Sequence, residues 1–259
     1  MGQGILGAGL ATALGLIVSC LLGLYYFKKK RRDLDWSWSI DLKEAVRSMI
    51  NGASEMVDQL AIAVTTVVFN KTALSLAGND GVAAVSIIMY VQYLFIGVYF
   101  GSSMGLAPQL SHAYGEGKLA VCQKLEQYAG RFLLVATPVI GLVTYFSAPA
   151  AVAMFAKGAV YDLAVKGMRL YGLAFLFAGI NIYTAVKLTA YGRGHLAGLI
   201  TFSRSFAGLL FFLVLLPKIW GLTGLWLAVP AAELTTVLLA WPLFQKSPLH
   251  TGSKIPAES

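Results

Sequence analysis

Two stretches of this sequence put carboxylates where carboxylates are costly. The first is Asn51 to Asn70, NGASEMVDQLAIAVTTVVFN, which is apolar enough to cross a bilayer yet carries Glu55 and Asp58. On a helix turning about 100° per residue, Asn51, Glu55, Asp58, Gln59, Thr65 and Thr66 fall within one arc of roughly 140°, interrupted by Ile62 and Phe69. The second is GLTGLWLAVPAAELTTVLLAW, with Glu233 at its middle, three residues after Pro230. An acid at membrane depth costs at least ~2.5–3.5 kcal/mol on insertion scales. It persists when it faces a wet cavity, pairs with a cation or titrates. Desolvation raises a carboxyl pKa towards neutrality and a neighbouring cation lowers it again. Glu55, Asp58 and Glu233 are therefore candidate ion-coupling residues. Two bland alternatives stand beside this reading. A helix starting near Gln59 would leave Glu55 and Asp58 among the headgroups, although Leu60 to Asn70 alone is too short to span. Glu233 could pair permanently with Arg204 or Lys187 and only lock helices together.

The elements that must position these acids are membrane helices. Of the 259 residues, 58% are hydrophobic and 12% charged, against about 25% charged in a soluble domain. The net charge of +8 does not form one basic patch. It sits beside apolar segments, as membrane topology requires, so nucleic acid is not an expected partner. The two cysteines, Cys20 and Cys122, form no CxxC motif and imply neither a disulfide framework nor a zinc site. His112, His195 and His250 are isolated, and no HExxH, GxSxG or Walker A pattern occurs. No catalytic residue, metal site or cofactor is expected, and the chain does not read as an enzyme. The formal GxGxxG at Gly2 to Gly7 follows no strand and reads as small residues for close helix packing.

Seven spans are expected in an all-α integral membrane fold. The first, Gly4 to Phe27, ends at KKKRR (Lys28 to Arg32) and the interfacial Trp36 and Trp38. Its basic flank follows the apolar run, so it is not a signal peptide. The others run roughly from Ser48 to Asn70, Ala83 to Leu106, Arg131 to Ala150, Met168 to Tyr191, Ala197 to Leu216 and Trp220 to Leu243. Gly97, Gly101 and Gly105 make a double GxxxG in the third span, which predicts close backbone contact with another helix. Asn79-Asp80-Gly81 and SHAYGEGK (Ser111 to Lys118) read as loops, 119–130 as a short amphipathic piece lying on the membrane, and Lys157 to Arg169 as a mildly amphipathic loop. The domains are then 1–27, a single helix; 28–47, a basic linker; 48–245, a six-helix lobe; and 246–259, a polar tail. With the N-terminus outside, only Lys71, Lys157, Lys166, Arg169 and Lys218 of the 20 lysines and arginines lie outside. That asymmetry places the N-terminus outside and the C-terminus in the cytoplasm of a bacterial-type inner membrane.

The first and last spans also share a pattern. GILGAGLA (Gly4 to Ala11) aligns with GLTGLWLA (Gly221 to Ala228), matching at both glycines, at Leu10 and Leu227, and at Ala11 and Ala228. A unit repeating after six spans in the same orientation is a parallel repeat, as in several transporter classes. On this reading the chain holds a complete second unit and only the last helix of a first. It is expected to be N-terminally truncated, with a missing N-terminal lobe or a second copy of itself as partner.

In the same stretches, NGASEM at Asn51, SHAYGEGK at Ser111, SRSF at Ser203 and LPKIWGLTGLWLAVPAAELTT from Leu216 resemble the C-terminal half of a multidrug and toxic compound extrusion (MATE) transporter. GAGLAT at Gly7 resembles the end of that family's sixth helix, so the likeness runs over roughly residues 4–245. It implies two six-helix lobes around a central cavity. It also implies export of small organic, often cationic compounds against an inward flow of Na+ or H+. Glu55 takes the place of that family's seventh-helix carboxylate, and Glu233 that of the twelfth-helix acid of one branch. The tenth-helix acid of some relatives is absent. AFLFAGINIYTAVKL offers Asn181 and Lys187 instead, which leaves the choice of coupling ion open.

Asn51, Gln92, Tyr93, Asn181, Tyr183 and Thr184 are the candidate substrate-cavity residues, and Arg204 and Lys187 the candidate charge partners. Tyr183, Thr184, Lys187 and Tyr191 share one face of the fifth span. Lys187 is expected to snorkel towards the cytoplasmic surface. Two other functions fit the same helices. A lipid-linked oligosaccharide flippase of the same broad superfamily would need a cavity rich in Arg and Lys for a pyrophosphate, and only Arg204 and Lys187 are on offer. A non-transporting membrane scaffold or inert fragment would be indifferent to loss of the Glu55 charge.

Overall fold

A computed structural model describes the backbone of residues 4–30 and 42–245; within these, the side chains of 4–6, 8, 27, 30, 43–44, 46–59 and 243–245 lie outside the described set. The chain divides into two units, Met1–Asn51 and Gly52–Ser259. In the first, α1 (Gly4–Lys30) is one uninterrupted apolar helix. The helices that follow are α2 (Leu42–Gly115), α3 (Leu119–Ala153), α4 (Ala159–Tyr171), α5 (Phe175–Ala190), α6 (Gly194–Phe202) and α7 (Gly208–Gln245). A 3-10 turn (Gly172–Ala174) joins α4 to α5, and a π-helical turn (Ser203–Ala207) joins α6 to α7. No strand occurs among the described residues.

Among the described residues five helical runs are long and apolar enough to cross a membrane. Two of them, Leu60–Gly115 and Gly194–Pro242, hold 56 and 49 residues. At about 1.5 Å per residue each is more than twice the ~30 Å bilayer core. Both are broken. In α2, Ala77 (φ −141°) and Gly78 (φ 59°) leave the helical region, and in α7 Gly221 does so at φ 54°. Positive φ suits glycine, which lacks the Cβ that would clash. Behind the second break the chain doubles back so closely that a Cβ on Gly224 would stand 2.1 Å from the Leu216 carbonyl oxygen. The seven expected spans thus appear as five continuous runs, two of them divided at these turns.

Several boundaries differ from the sequence reading. Asn79-Asp80-Gly81 begins a returning helix, because Ala77 and Gly78 alone make the turn. Most of SHAYGEGK is helical through Gly115, and only Glu116 to Lys118 turns. There Lys118 Nζ lies 2.8 Å from Glu116 Oε2. That hydrogen bond, with His112 adding its charge, holds the Glu116 carboxyl below its usual range. Residues 119–130 are the first turns of α3 itself and do not form a separate surface helix. Cys122 is buried there. The loop expected from Lys157 to Arg169 is mostly α4, with Ala164, Val165, Gly167 and Met168 buried. Among the described residues Gly97, Gly101 and Gly105 show no close helix contact: a Cβ at any of them would find nothing within 4 Å.

The lobe of the second unit is apolar outside and partly polar inside. Leu94, Leu134, Phe146 and Leu239 are each more than 70% exposed, whereas Thr144, Asn181, Thr184, Lys187, Glu233 and Thr236 are buried. That inversion suits a lipid surround, where backbone and side-chain polar groups must be satisfied within the protein. Trp226 and Tyr99 anchor the packing. Trp226 stacks at a tilt on Phe69, 6.2 Å between centroids, and Tyr99 donates to the Phe175 carbonyl at 2.9 Å. Each aromatic lies against a glycine of the α4–α5 run. A Cβ on Gly167 would come within 2.6 Å of Ile88 and 2.8 Å of the Trp226 ring, and one on Gly179 within 2.7 Å of the Tyr99 ring.

Gly167→Ala is therefore expected to overpack this contact at a cost of about 1–3 kcal/mol. It should lower the thermal midpoint of the purified protein in detergent, while Gly97→Ala, which meets nothing, leaves it unchanged. Equal midpoints for the two variants would refute the close packing of Trp226 on Gly167.

Candidate functional site

Among the described residues the lobe holds two clusters of buried or half-buried charged groups, each centred on one carboxylate. Glu233 lies in the second half of α7, one turn past Pro230, which removes a hydrogen bond from the helix ladder. Its side chain is 6% exposed. Oε1 accepts from Arg204 Nε at 3.0 Å, and Oε2 accepts from Asn181 Nδ2 at 2.7 Å. The same Asn181 amide donates to the Glu233 backbone carbonyl at 2.9 Å. Three separate elements meet here: α5 brings Asn181, the π turn brings Arg204, and α7 brings Glu233. A π turn widens a helix by one residue and often marks a functional position. Asn181 is fully buried, and its Oδ1 has no hydrogen-bond partner. An amide oxygen left bare beside a carboxylate is an open ligand position for a proton donor or a hard cation.

The second cluster centres on Glu126, which the sequence reading passed over because it lay in the stretch expected on the membrane surface. Lys187 Nζ is 3.2 Å from Glu126 Oε2, and Tyr191 donates to Oε1 at 2.5 Å. Lys187 is 2% exposed, so it does not snorkel; it is held inside the lobe by a carboxylate 61 positions away. Of the two cations expected beside Glu233, the structure brings Arg204 there and pairs Lys187 with Glu126. The edge of the Tyr191 ring packs on Tyr114, with centroids 4.8 Å apart. One signal for Glu126 was available: Cys122, Glu126, Ala129 and Leu133 keep helical spacing into the fourth span with no proline between them.

The remaining candidates are dispersed. Gln92 Oε1 accepts from the Tyr171 hydroxyl. Tyr93 is 66% exposed on the outside of α2. Tyr183 is buried, and Thr184 bonds back to the Ile180 carbonyl at 2.7 Å. Asn51, Glu55 and Asp58 lie in the backbone of α2, and their side chains are outside the described residues. Of the polar arc on that helix, Thr65 is buried and Thr66 exposed. Among the described residues no group of three or more His, Cys, Asp and Glu could hold a metal ion.

Breaking one half of a buried pair leaves the other charge uncompensated, at about 3–5 kcal/mol. Arg204→Leu is accordingly expected to destabilise the purified protein strongly. Arg204→Leu with Glu233→Gln should recover most of the loss, because no unpaired charge remains. A double variant as unstable as the single would show that the pair is not what Arg204 stabilises.

The fold matches solved transporters. An outward-facing multidrug resistance MATE family transporter of the MOP superfamily superimposes with a TM-score of 0.80 at 18% identity, over 94% of this chain and 56% of that one. A MOP superfamily transporter from Pyrococcus furiosus, whose reverse-polarity binding pocket suggests a different function for it, gives the same values. A Vibrio cholerae MATE transporter matches with a TM-score of 0.78 at 21% identity, over 95% of this chain and 56% of that one. The chain thus spans a little over half the length of these transporters. No curated protein matches it. The MatE family profile matches residues 56–214, from the Glu55 helix to the first turns of α7 and well over half of the sequence: the chain belongs to the MatE family.

Proposed function

We propose that this chain is the C-terminal lobe of a cation-coupled antiporter, with one preceding helix. It exports small organic, often cationic compounds across a bacterial-type inner membrane by alternating access. The lobe is 48–245, the linker 28–47 and the tail 246–259. The N-terminus lies outside, and an N-terminal lobe or a second copy completes the transport path. Na+ or H+ is the coupling ion, with Glu55, Asp58 and Glu233 linked to it. Asn51, Gln92, Tyr93, Asn181, Tyr183 and Thr184 are the candidates for substrate contact.

The observation that carries this reading is the Glu233 cluster. A carboxylate buried in a membrane-spanning lobe is balanced by one guanidinium and flanked by an unsatisfied amide oxygen. Protonating Glu233, or placing a cation between its Oε2 and Asn181 Oδ1, weakens the hold on Arg204. The Arg204 guanidinium sits on a π turn, which can return to α-helical register. Ion binding would in this way alter the packing of α6 and α7 against α5, a discrete change of the kind that alternating access requires. The flippase alternative needs free cations in the cavity. Arg204 and Lys187, the two residues it would use, are each bonded to a carboxylate, which disfavours it.

Dye efflux in a drug-sensitive bacterial host tests the reading. The 259-residue chain is compared with the chain preceded by its upstream genomic sequence. Export by either form should be abolished by Glu55→Gln at unchanged membrane levels, and also by Glu233→Gln. It should not return in Glu233→Gln with Arg204→Gln, because the ion-linked group is still missing. Rescue by that double variant would make Glu233 a structural lock. Export indifferent to both acids, or absent from both forms, would favour the flippase or the scaffold.

A further inference from the structure

Between α3, α4 and the part of α7 just past the Gly221 break, the lobe opens a cavity of about 430 Å3 lined by Tyr145, Lys166, Arg169 and Thr223 on its polar side. Leu163, Leu222 and Trp226 form its apolar wall. A second cavity of about 340 Å3, lined by Trp220, Thr223 and Leu227, shares Thr223 with it. A site for a drug-sized ligand typically measures about 300–1,000 Å3. We propose that the larger cavity binds the headgroup of an anionic phospholipid, with the acyl chains running along the apolar wall and the smaller cavity.

Three observations carry this. Among the described residues neither cation of the cavity is neutralised: the exposed Lys166 and the half-buried Arg169 form no ion pair there, and Asp162, one turn earlier on α4, reaches neither. The contrast with Arg204 and Lys187, both paired inside the lobe, is direct. The Arg169 guanidinium is fixed in place, its carbon 4.9 Å from the centre of the Tyr145 ring, while its buried Nε has no hydrogen-bond partner. A buried guanidinium N–H without an acceptor is costly, and a phosphate oxygen is the acceptor whose geometry fits the planar fork. Finally, the polar and apolar walls lie side by side in one cavity, Lys166, Arg169 and Thr223 against Leu163, Leu222 and Trp226. A phospholipid presents the same juxtaposition, an anionic headgroup joined directly to apolar chains.

Native mass spectrometry of the detergent-solubilised 259-residue chain tests this, with phosphatidylglycerol and phosphatidylcholine of matched chains as probes. The parent should retain phosphatidylglycerol in preference. Lys166→Gln and Arg169→Gln should each weaken that binding about fivefold, and together about thirtyfold. Phosphatidylcholine binding should not move, and Lys218→Gln, outside the cavity, should change nothing. Thr223→Glu places a negative charge at the exposed rim. It should give a similar loss and stands in if the double variant does not fold by circular dichroism. Equal retention of the two lipids by the parent would overturn the proposal, as would a preference that survives in a folded variant. Displacement of the lipid by millimolar inorganic phosphate would also overturn it, since the site would then read a free anion. The measurement involves no transport, so it stands or falls apart from the antiporter reading.

Discussion

A carboxylate withdrawn from water into a helical lobe has to be met by donors on several sides, and the position of Glu233 shows how much structure that requires. Its two oxygens are served from two other elements, Arg204 on the π turn and Asn181 on α5. Neither donor is available unless α5, α6 and α7 pack together. The pair is therefore a condition on the fold as much as an addition to it. Replacing such a pair by well-packed apolar residues is often neutral or stabilising. Stability alone is then a weak reason to keep an acid here, and the orphan Asn181 oxygen beside it is a further cost. A site that carries both costs is a natural place for a group that changes its ligands.

The same constraint orders the other end of α5. Asn181 and Lys187 lie six residues apart on one helix, each bonded to a different acid, on α7 and α3 respectively. α5 thus joins two charge-neutral clusters through a short, largely buried segment that also carries Gly179 against Tyr99. A shift of α5 would strain both clusters together. The helix is fixed by polar contacts at two levels and by close aromatic packing between them. The outer surface, by contrast, is a plain apolar coat in which side chains need only match lipid.

Much of this was legible in the sequence, and what was not has an identifiable physical cause. The apolar runs and the acids inside them follow from hydropathy and periodicity, because the bilayer imposes a length and penalises a charge. Family membership was legible from the same stretches. Helix ends were read poorly. Asn79-Asp80-Gly81 and SHAYGEGK have turn composition, yet a polar segment beyond a membrane helix can simply continue it in the headgroup layer, and α2 does so to Gly115. Glycine spacing was equally ambiguous. Gly97, Gly101 and Gly105 share a face with no neighbour among the described residues, whereas Gly167 and Gly179, without any motif, are pressed against aromatic rings. Spacing shows that small residues line up; it does not show that another helix is there.

Pairing was the least legible feature, since it depends on which helices are neighbours. Arg204 and Lys187 were equally plausible partners for Glu233, and sequence distance does not separate them. The fold separates them by depth. Lys187 lies near the last turn of α5, level with the start of α3, so it meets Glu126. Arg204 enters from a π turn between α6 and α7 and meets Glu233. Among the described residues no acid meets Lys166 or Arg169. Of the two cations conceivable beside Glu233, Arg204 pairs with it and Lys187 with Glu126. The cations left over sit at the edge of the apolar coat, in contact with whatever solvent or lipid surrounds the protein.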